Sequence, residues 1–312
     1  MQYDSFELPL EKEPERIDKL LAELYPDKSR SFFQKCIKNG DVYAERQPVT
    51  KAGYMAKGGD LLEIRFPEPI ETKILPENIP LDILYEDDDL LIVNKPKGMV
   101  VHPAPGHYSG TLVNAILYHC KEDLSGINGE IRPGIVHRID KDTTGSLVIC
   151  KNDFSHDAVS KQLRDHSIKR IYRGIVCGIL KEDAGTIDAP IGRSKKDRKK
   201  MAVLTKAEML QGAGGREAVT HYRVLQRFSG ATYCEFQLET GRTHQIRVHM
   251  ASIGHPLYGD TVYGGEKNAH GLQGQTLHAM TIGLIHPRTG EMLEAEAPLP
   301  AYFEDLLHMF CE

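Results

Sequence analysis

The chain has 312 residues, 40% of them hydrophobic and 27% charged, with no tryptophan and a formal net charge of −5 at pH 7. At about 150 residues per domain this length predicts two soluble globular domains, and no apolar run reaches the roughly 18 residues of a membrane-spanning helix. The scarcity of aromatics argues against a large stacking platform for single-stranded RNA. The negative balance does not exclude nucleic acid, because a polyanion responds to local fields rather than to the average.

The first residues, Met1-Gln2-Tyr3-Asp4, are acidic and polar, unlike a secretory signal. Ile17, Leu20, Leu21 and Leu24 then recur at i, i+3, i+4 and i+7, the spacing of one helix face. Pro26 ends that helix and Ser29 is placed to cap a second. In the second, Phe33, Cys36 and Ile37 repeat the apolar spacing and Asn39-Gly40 supplies a left-handed stop. Short strands are expected at 42–45 and 61–64, on either side of a turn-rich stretch with Gly53, Gly58 and Gly59. The expected module spans 14–67. Its helices are assigned Arg16, Lys19, Lys28, Arg30, Lys35 and Lys38, a basic surface suited to RNA phosphates.

Pro67, Pro69, Pro76 and Pro80 mark a linker over 68–80. Beyond it the pattern changes to many strands with interspersed helices. A buried strand is expected at 90–93, after the Asp87-Asp88-Asp89 turn, and residues 232–239 alternate with Cys234, Phe236 and Leu238 on one side. Helices are expected at 112–118, 157–163 and 244–253, the last ended by Gly254. Strands and helices do not follow strict βαβ order, and no glycine-rich phosphate loop follows a strand. The predicted class for 81–312 is therefore α+β with a mixed, mainly antiparallel sheet. The six cysteines (Cys36, Cys120, Cys150, Cys177, Cys234, Cys311) are scattered, mostly in apolar surroundings and without a Cys-x-x-Cys pair. That pattern predicts reduced thiols, a cytoplasmic protein and no structural zinc.

Four segments carry candidate chemistry. In 134–145, Asp140 has Arg138 and Lys141 on either side, which would keep its carboxylate ionised; such a charged loop between core strands is a surface turn or a site. In 240–249, Thr243 is placed to cap a helix bearing His244, Arg247 and Val248. An arginine near a helix start is disfavoured unless an anion lies opposite, so Arg247 demands a partner. His244 and His249 lack the spacing and the glutamate of a zinc-protease motif. In 94–103, the Lys95-Pro96-Lys97-Gly98 turn could present lysines to a phosphate or be only a loop, and His102 reads as structural. The basic run 193–200 is either a solvated loop or a phosphate grip. Tyr172, after Lys169-Arg170, reads by itself as strand core.

Taken in order, these segments resemble the RluA/RluD family of RNA pseudouridine synthases. The markers run from Asn94-Lys95-Pro96 and His102-Pro103 through His137-Arg138-Ile139-Asp140, Thr144-Gly145 and Tyr172. They continue with 240–249, Gly254-His255-Pro256, Gly259-Asp260, Leu277-His278-Ala279 and His286-Pro287. The front module resembles an S4 RNA-binding domain in Arg16-Ile17-Asp18-Lys19, Ser29-Arg30-Ser31 and the 37–42 turn, as in the ribosomal-RNA branch of that family. The resemblance implies that Asp140 is the catalytic aspartate, Arg247 the arginine paired with it, Tyr172 the aromatic stacked on the target base and Arg138 the basic residue beside the aspartate. His137, Thr144, Lys95 and Arg242 are expected around the substrate, and Arg16, Lys19, Arg30 and Lys35 on the RNA. Two positions depart from the family pattern: Gly174 stands where alanine is common, and Ser146 where an apolar residue is expected.

The implied reaction converts uridine to pseudouridine in structured RNA. It breaks the N1–C1′ bond, turns the base and rejoins it through C5, with no net redox change, no hydrolysis, and no cofactor or metal. Asp140 would act as nucleophile or as the base that starts elimination at the sugar, on a nucleotide flipped out of the stack. Tyr172 or a water would take the C5 proton. Large-subunit ribosomal RNA is the first expected substrate and transfer RNA the second, with a monomer as the default state. A non-catalytic S4-bearing ribosome assembly factor is the competing reading, and it gives no reason to keep Asp140, Tyr172 and Arg247 together. A carboxylate-dependent hydrolase would need a second acid or a serine elbow that the sequence lacks.

Overall fold

The computed structural model describes residues 2–66, 74–103, 107–121, 124, 133–195, 197, 200–210 and 214–311, and the chain divides into two units, Met1–Thr72 and Lys73–Glu312. In the first unit the order is β1 (Gln2–Glu7), β2 (Glu15–Arg16), α1 (Ile17–Leu24), α2 (Arg30–Asn39), β3 (Val42–Ala44), β4 (Gln47–Pro48), β5 (Met55–Ala56) and β6 (Leu61–Phe66). The expected helix faces are the ones that bury: Ile17, Leu20 and Leu21 on α1 and Phe33, Cys36 and Ile37 on α2 pack with Val42, Leu62 and Ile64. Leu24, assigned to the same face, is left exposed. Ser29 caps α2 by accepting the Phe32 N–H, and Gly40 ends it at φ +80° with its N–H on the Cys36 and Ile37 carbonyls. The sheet order is β1-β6-β3-β4. Strand β1 was not expected, because its pairing is made with residues about 60 positions away. Arg16 stands at the N-cap of α1 and Lys28 in the turn before α2, so neither lies within a helix as the sequence suggested.

The second unit continues with β7 (Ile83–Glu86), β8 (Leu90–Lys95), α3 (Leu112–Cys120), β9 (Thr144–Cys150), α4 (Asp153–Arg164), β10 (Lys169–Cys177), β11 (Ala184–Asp188), β12 (Ile191–Arg193), β13 (Met201–Val203) and α5 (Lys206–Leu210). It ends with β14 (Val219–Arg227), β15 (Ala231–Leu238), α6 (Gln245–Ser252), α7 (Thr261–Gly264), β16 (Leu277–Ile285), β17 (Met292–Glu296) and α8 (Ala301–Cys311). Among the described residues its main sheet has the order β11-β14-β15-β10-β16-β9-β8-β7, with β17 also on β16. Among the described residues only the β16–β9 pairing is parallel, so the fold is α+β with a mixed, mainly antiparallel sheet.

Alternation along the central strands sends side chains into two cores. Leu91, Val93, Leu147 and Ile149 face the core that holds Leu112, Val113 and Ile116 of α3. Leu90, Ile92, Val148 and Cys150 face the other, with Val159 of α4. Strand β9 is buried along its whole length, which fixes the loop that precedes it. Both departures from the family pattern have local causes. Ser146 donates to the Ala279 carbonyl of β16 at 3.0 Å. A Cβ at position 174 would stand 2.9 Å from the Phe236 ring, so glycine fits there without displacement.

Of the sequence expectations, residues 68–73 of the linker, Pro67 before it, and Lys196, Arg198 and Lys199 of the basic run lie outside the described residues.

Candidate active site

The loop before β9 is tied down from below. Lys95, at the end of β8, is completely buried, and its ammonium donates to the carbonyls of Pro96, Met99 and Lys141 at 2.8, 2.8 and 3.0 Å. Burial lowers its pKa to about 7, against the pull of Asp142 and Asp140. The expected contact of Lys95 with substrate is therefore corrected: its three donors are spent on backbone, and it fixes the Asp140 loop from inside. Gly98 adds a further tie, donating to the Lys141 carbonyl, and Thr143 closes a turn onto the Asp140 carbonyl.

Asp140 emerges from this loop half-buried, and it accepts the Arg247 Nη1 hydrogen bond on Oδ2 at 2.9 Å. Arg247 comes from the first turn of α6 and is itself buried. Its other edge makes a two-pronged pair with Asp260, Nε to Oδ2 at 2.7 Å and Nη2 to Oδ1 at 3.0 Å. Asp260 is fully buried and accepts the Val262 and Tyr263 N–H groups that begin α7. Burial alone would weaken the charge on Arg247, but the hydrogen bonds of Asp260 and the charge of Asp140 outweigh it and raise its pKa. The anion that Arg247 was expected to need is thus a pair of carboxylates. One is buried and holds the guanidinium; the other is presented outward.

Two more groups complete the network. The Tyr263 ring lies 5.1 Å from the Arg247 guanidinium, centroid to Cζ. Its hydroxyl is 2.7 Å from His244 Nδ1 and accepts the Met201 N–H. The far nitrogen of His244 stands 3.8 Å from Asp140 Oδ1. Burial lowers the His244 pKa, partly opposed by the Asp140 charge. Asp260 and Tyr263 were missed as site residues in the sequence, where the only signal was the Gly259-Asp260 marker.

The expected cap at Thr243 is also corrected. Helix α6 begins at Gln245, with His244 at its N-cap in a left-handed conformation (φ +57°). The Gln245 side chain does the tying instead. Its carbonyl accepts from Thr240 Oγ1 and the Arg242 N–H, and its amide donates to Val219 and Thr220. This fixes the turn that delivers Arg247.

Tyr172 lies on β10, at a bulge in the pairing with β16 between Ile171 and Tyr172, a device that re-aims a strand side chain. Only 9% exposed, it lines a small cavity of about 60 Å³ with Asp140, Arg247, Leu238, Ile246 and Leu277. Burial raises the pKa of its phenol. Two wider grooves meet at this cavity, of about 580 and 610 Å³. Arg138 and Arg242 line all three spaces. Arg138 is exposed there, and Arg242 is braced by its Nε on the Glu217 carbonyl.

The remaining expected residues do other work. His137 Nε2 accepts the Val148 N–H at 3.0 Å, and burial with the Arg170 charge lowers its pKa to about 3. A neutral imidazole bound to backbone does not grip phosphate, so the expected substrate contact is corrected to a brace. Thr144 is likewise buried, with its hydroxyl 2.8 Å from His278 Nδ1. His278 Nε2 must donate to the Ala297 carbonyl at 3.0 Å, which leaves Nδ1 to accept from Thr144. In the first unit, Arg16 and Arg30 both bond the buried Asp18, and Lys19 pairs with Glu15 and Glu23. Lys35 is exposed.

Comparison with known proteins gives the family. The family model of RNA pseudouridylate synthases matches residues 89–252, and that of the S4 domain matches residues 15–62. The uncharacterized RNA pseudouridine synthase YlyB of Bacillus subtilis is 52% identical over 297 residues, which cover 95% of this chain and 94% of that one. Ribosomal large subunit pseudouridine synthase D of Zymomonas mobilis is 45% identical over 302 residues, covering 94% and 93%. Among solved structures, human RNA pseudouridylate synthase domain containing 4 aligns with a TM-score of 0.58 and 25% identity, over 74% of this chain and 93% of its own. The chain belongs to the RNA pseudouridine synthases, in the RluA/RluD family, with an S4 domain ahead of the synthase domain.

Proposed function

We propose that this pseudouridine synthase isomerises a uridine of large-subunit ribosomal RNA, using Asp140 on a base flipped into the cavity beside Tyr172. The observation that carries the reading is the Asp140–Arg247–Asp260 chain at the mouth of that cavity. Arg247 holds and aims the Asp140 carboxylate, and Asp260 keeps Arg247 from turning away. The Oδ1 atom of Asp140, not taken by Arg247, is the one offered to the nucleotide. Tyr172, held neutral by burial, supplies a flat wall for the uracil ring. The carboxylate bonds C1′ as the N1–C1′ bond breaks, the detached uracil turns within the cavity, C5 displaces the carboxylate from C1′ to rejoin the sugar, and the C5 proton passes to water.

Arg138, exposed where the grooves meet, fills the space the flipped base leaves. An Arg138→Ala variant with unaltered RNA affinity and turnover would remove that role. The ribosomal target is supported by the relatives named for the large subunit and by the S4 match. We further take the protein to act as a monomer in the cytoplasm, a compartment that keeps thiols such as its free cysteines reduced.

The test is tritium release from large-subunit ribosomal RNA labelled at uridine C5. Release by the wild type and none by Asp140→Ala is expected. Release from transfer RNA alone would move the substrate, and release by both proteins would remove Asp140 from the chemistry.

A further inference from the structure

The groove of about 610 Å³ on the Tyr172 side of the site is lined by Arg138, Arg164, Arg170 and Arg242 with His137 and His166 and, among the described residues, by no aspartate or glutamate. Within it Arg170 is unusual. It is 92% buried, being 8% exposed, yet among the described residues it makes no ion pair. Its Nη2 donates to the Glu239 carbonyl at 3.0 Å, and its buried Nε has no hydrogen-bond partner. Its neighbour Lys169, pointing to the other face of β10, has a carboxylate in Glu294 at 2.8 Å. Burying a guanidinium with a single neutral acceptor is costly, and proteins ordinarily supply an anion or leave the group at the surface. Here the like charge of Arg242 and burial both act against the Arg170 cation. Gly241 makes room for it: a Cβ at that position would come within 2.6 Å of Nη1.

We propose that Arg170 is a seat for one backbone phosphate of the RNA strand that delivers the flipped uridine, with Arg242 beside it. This rests on the functional reading above and adds the ligand class of the adjoining groove. A phosphodiester carries one negative charge on two accessible oxygens, which suits a fixed guanidinium in the groove wall that no carboxylate among the described residues neutralises. Since Tyr172 is two residues along the same strand, a phosphate held there sets how deeply the attached base enters the cavity.

The experiment is equilibrium binding of a large-subunit ribosomal RNA transcript across a salt series, for wild type, Arg170→Met and Arg170→Lys. One lost phosphate contact lowers the steepness of log K against log salt by about 0.7–0.9. Arg170→Met is expected to show that drop, with binding weakened about 10-fold at low salt, as for one charge-assisted hydrogen bond. Arg170→Lys should keep the wild-type steepness. A structural role alone would leave the slope unaltered in every variant. Should circular dichroism show Arg170→Met to be unfolded, Gly241→Ala decides, since it keeps every charge and only crowds Nη1; it is expected to lower the slope in the same way. Wild-type slopes in both Arg170→Met and Gly241→Ala, or in Gly241→Ala where Arg170→Met is unfolded, overturn the seat. Tritium release by the wild type on the same transcript is scored separately, so loss of the functional reading and loss of the phosphate seat are told apart.

Discussion

Each unit is organised around a carboxylate–arginine network, and the two are inverted with respect to burial. In the S4 domain the carboxylate is inside. The Asp18 side chain is 0% exposed, while Arg16 and Arg30, which bond it, are each 48% exposed. In the synthase domain the arginine is inside. The Arg247 side chain is 7% exposed between Asp260, at 0%, and Asp140, at 25%. The same chemical pair thus leaves opposite charges at the surface of each unit. The S4 domain leaves guanidinium groups half-exposed, and the synthase domain leaves a carboxylate partly exposed. Burial, rather than residue type, decides which partner is offered.

Asp140→Asn breaks the comparison at its most sensitive point. The amide oxygen still accepts from Arg247, and Arg247 still has Asp260, so the fold should be kept. Turnover in the tritium assay is expected to fall on the order of 10⁴-fold or more, as for loss of an essential reacting group. Asp260→Asn attacks the same network from its buried end. It leaves Arg247 inside with one charged partner, and breaking a buried pair this way costs about 3–5 kcal/mol of stability. Turnover should fall by about 10²-fold, the upper range for a lost orienting contact, with RNA affinity preserved. Denaturant unfolding and single-turnover rates at saturating enzyme measure the two effects. Equal turnover in Asp260→Asn and wild type would show that Asp140 needs no held arginine.

Asp18→Asn is the matched change in the S4 domain, and its outcome should be milder. Arg16 and Arg30 reach water, so no charge is stranded when their partner goes. The cost is that of weakened hydrogen bonds, about 1–2 kcal/mol, read as faster hydrogen exchange in α1 and α2. A penalty as large as that of Asp260→Asn would mean that the exposed arginines are held as tightly as the buried one.

The inversion was only partly legible in the sequence. Helix faces, the Ser29 cap and the Gly40 stop follow from local spacing, and they appear as expected. Asp140 stood out because a charged loop between two apolar strands is conspicuous, and Arg247 because its place near a helix start demanded an anion. That demand was sound, but it could not name Asp260, which lies 13 residues on and acts through tertiary contact. Asp18 gave no signal as a hub, since a carboxylate in a first helical turn is ordinary. Lys95 and His137 misled for a related reason. Charge and aromatic nitrogen read as surface chemistry, whereas three carbonyls and one backbone N–H turn these side chains inward.

Acid should separate the two units by a smaller effect with a definite sign. His137 in the folded synthase domain has its pKa lowered to about 3, whereas an unfolded histidine titrates near 6.5. The unfolded chain therefore takes up a proton that the folded one refuses, and the His137 contribution is fully present above about pH 6.5 and lost as pH falls toward about 3. Asp18 behaves differently. Burial alone would raise its pKa, but Arg16, Arg30 and Gln34 outweigh it and hold the carboxyl well below the usual range. Its contribution stays intact until pH drops below about 4, the unfolded value. Between pH 6.5 and 5 the synthase domain should lose about 1–2 kcal/mol from His137, while the S4 domain loses none from Asp18. Hydrogen exchange of β9 and α1 amides, corrected for intrinsic rates, resolves the two. His137→Gln, which can still accept the Val148 N–H, should lessen the decline in β9, the remainder coming from His278 on Thr144, and leave α1 unaltered. Protection lost from both elements over one common pH range would show that acid acts on them through some shared group, and the histidine would no longer account for the difference.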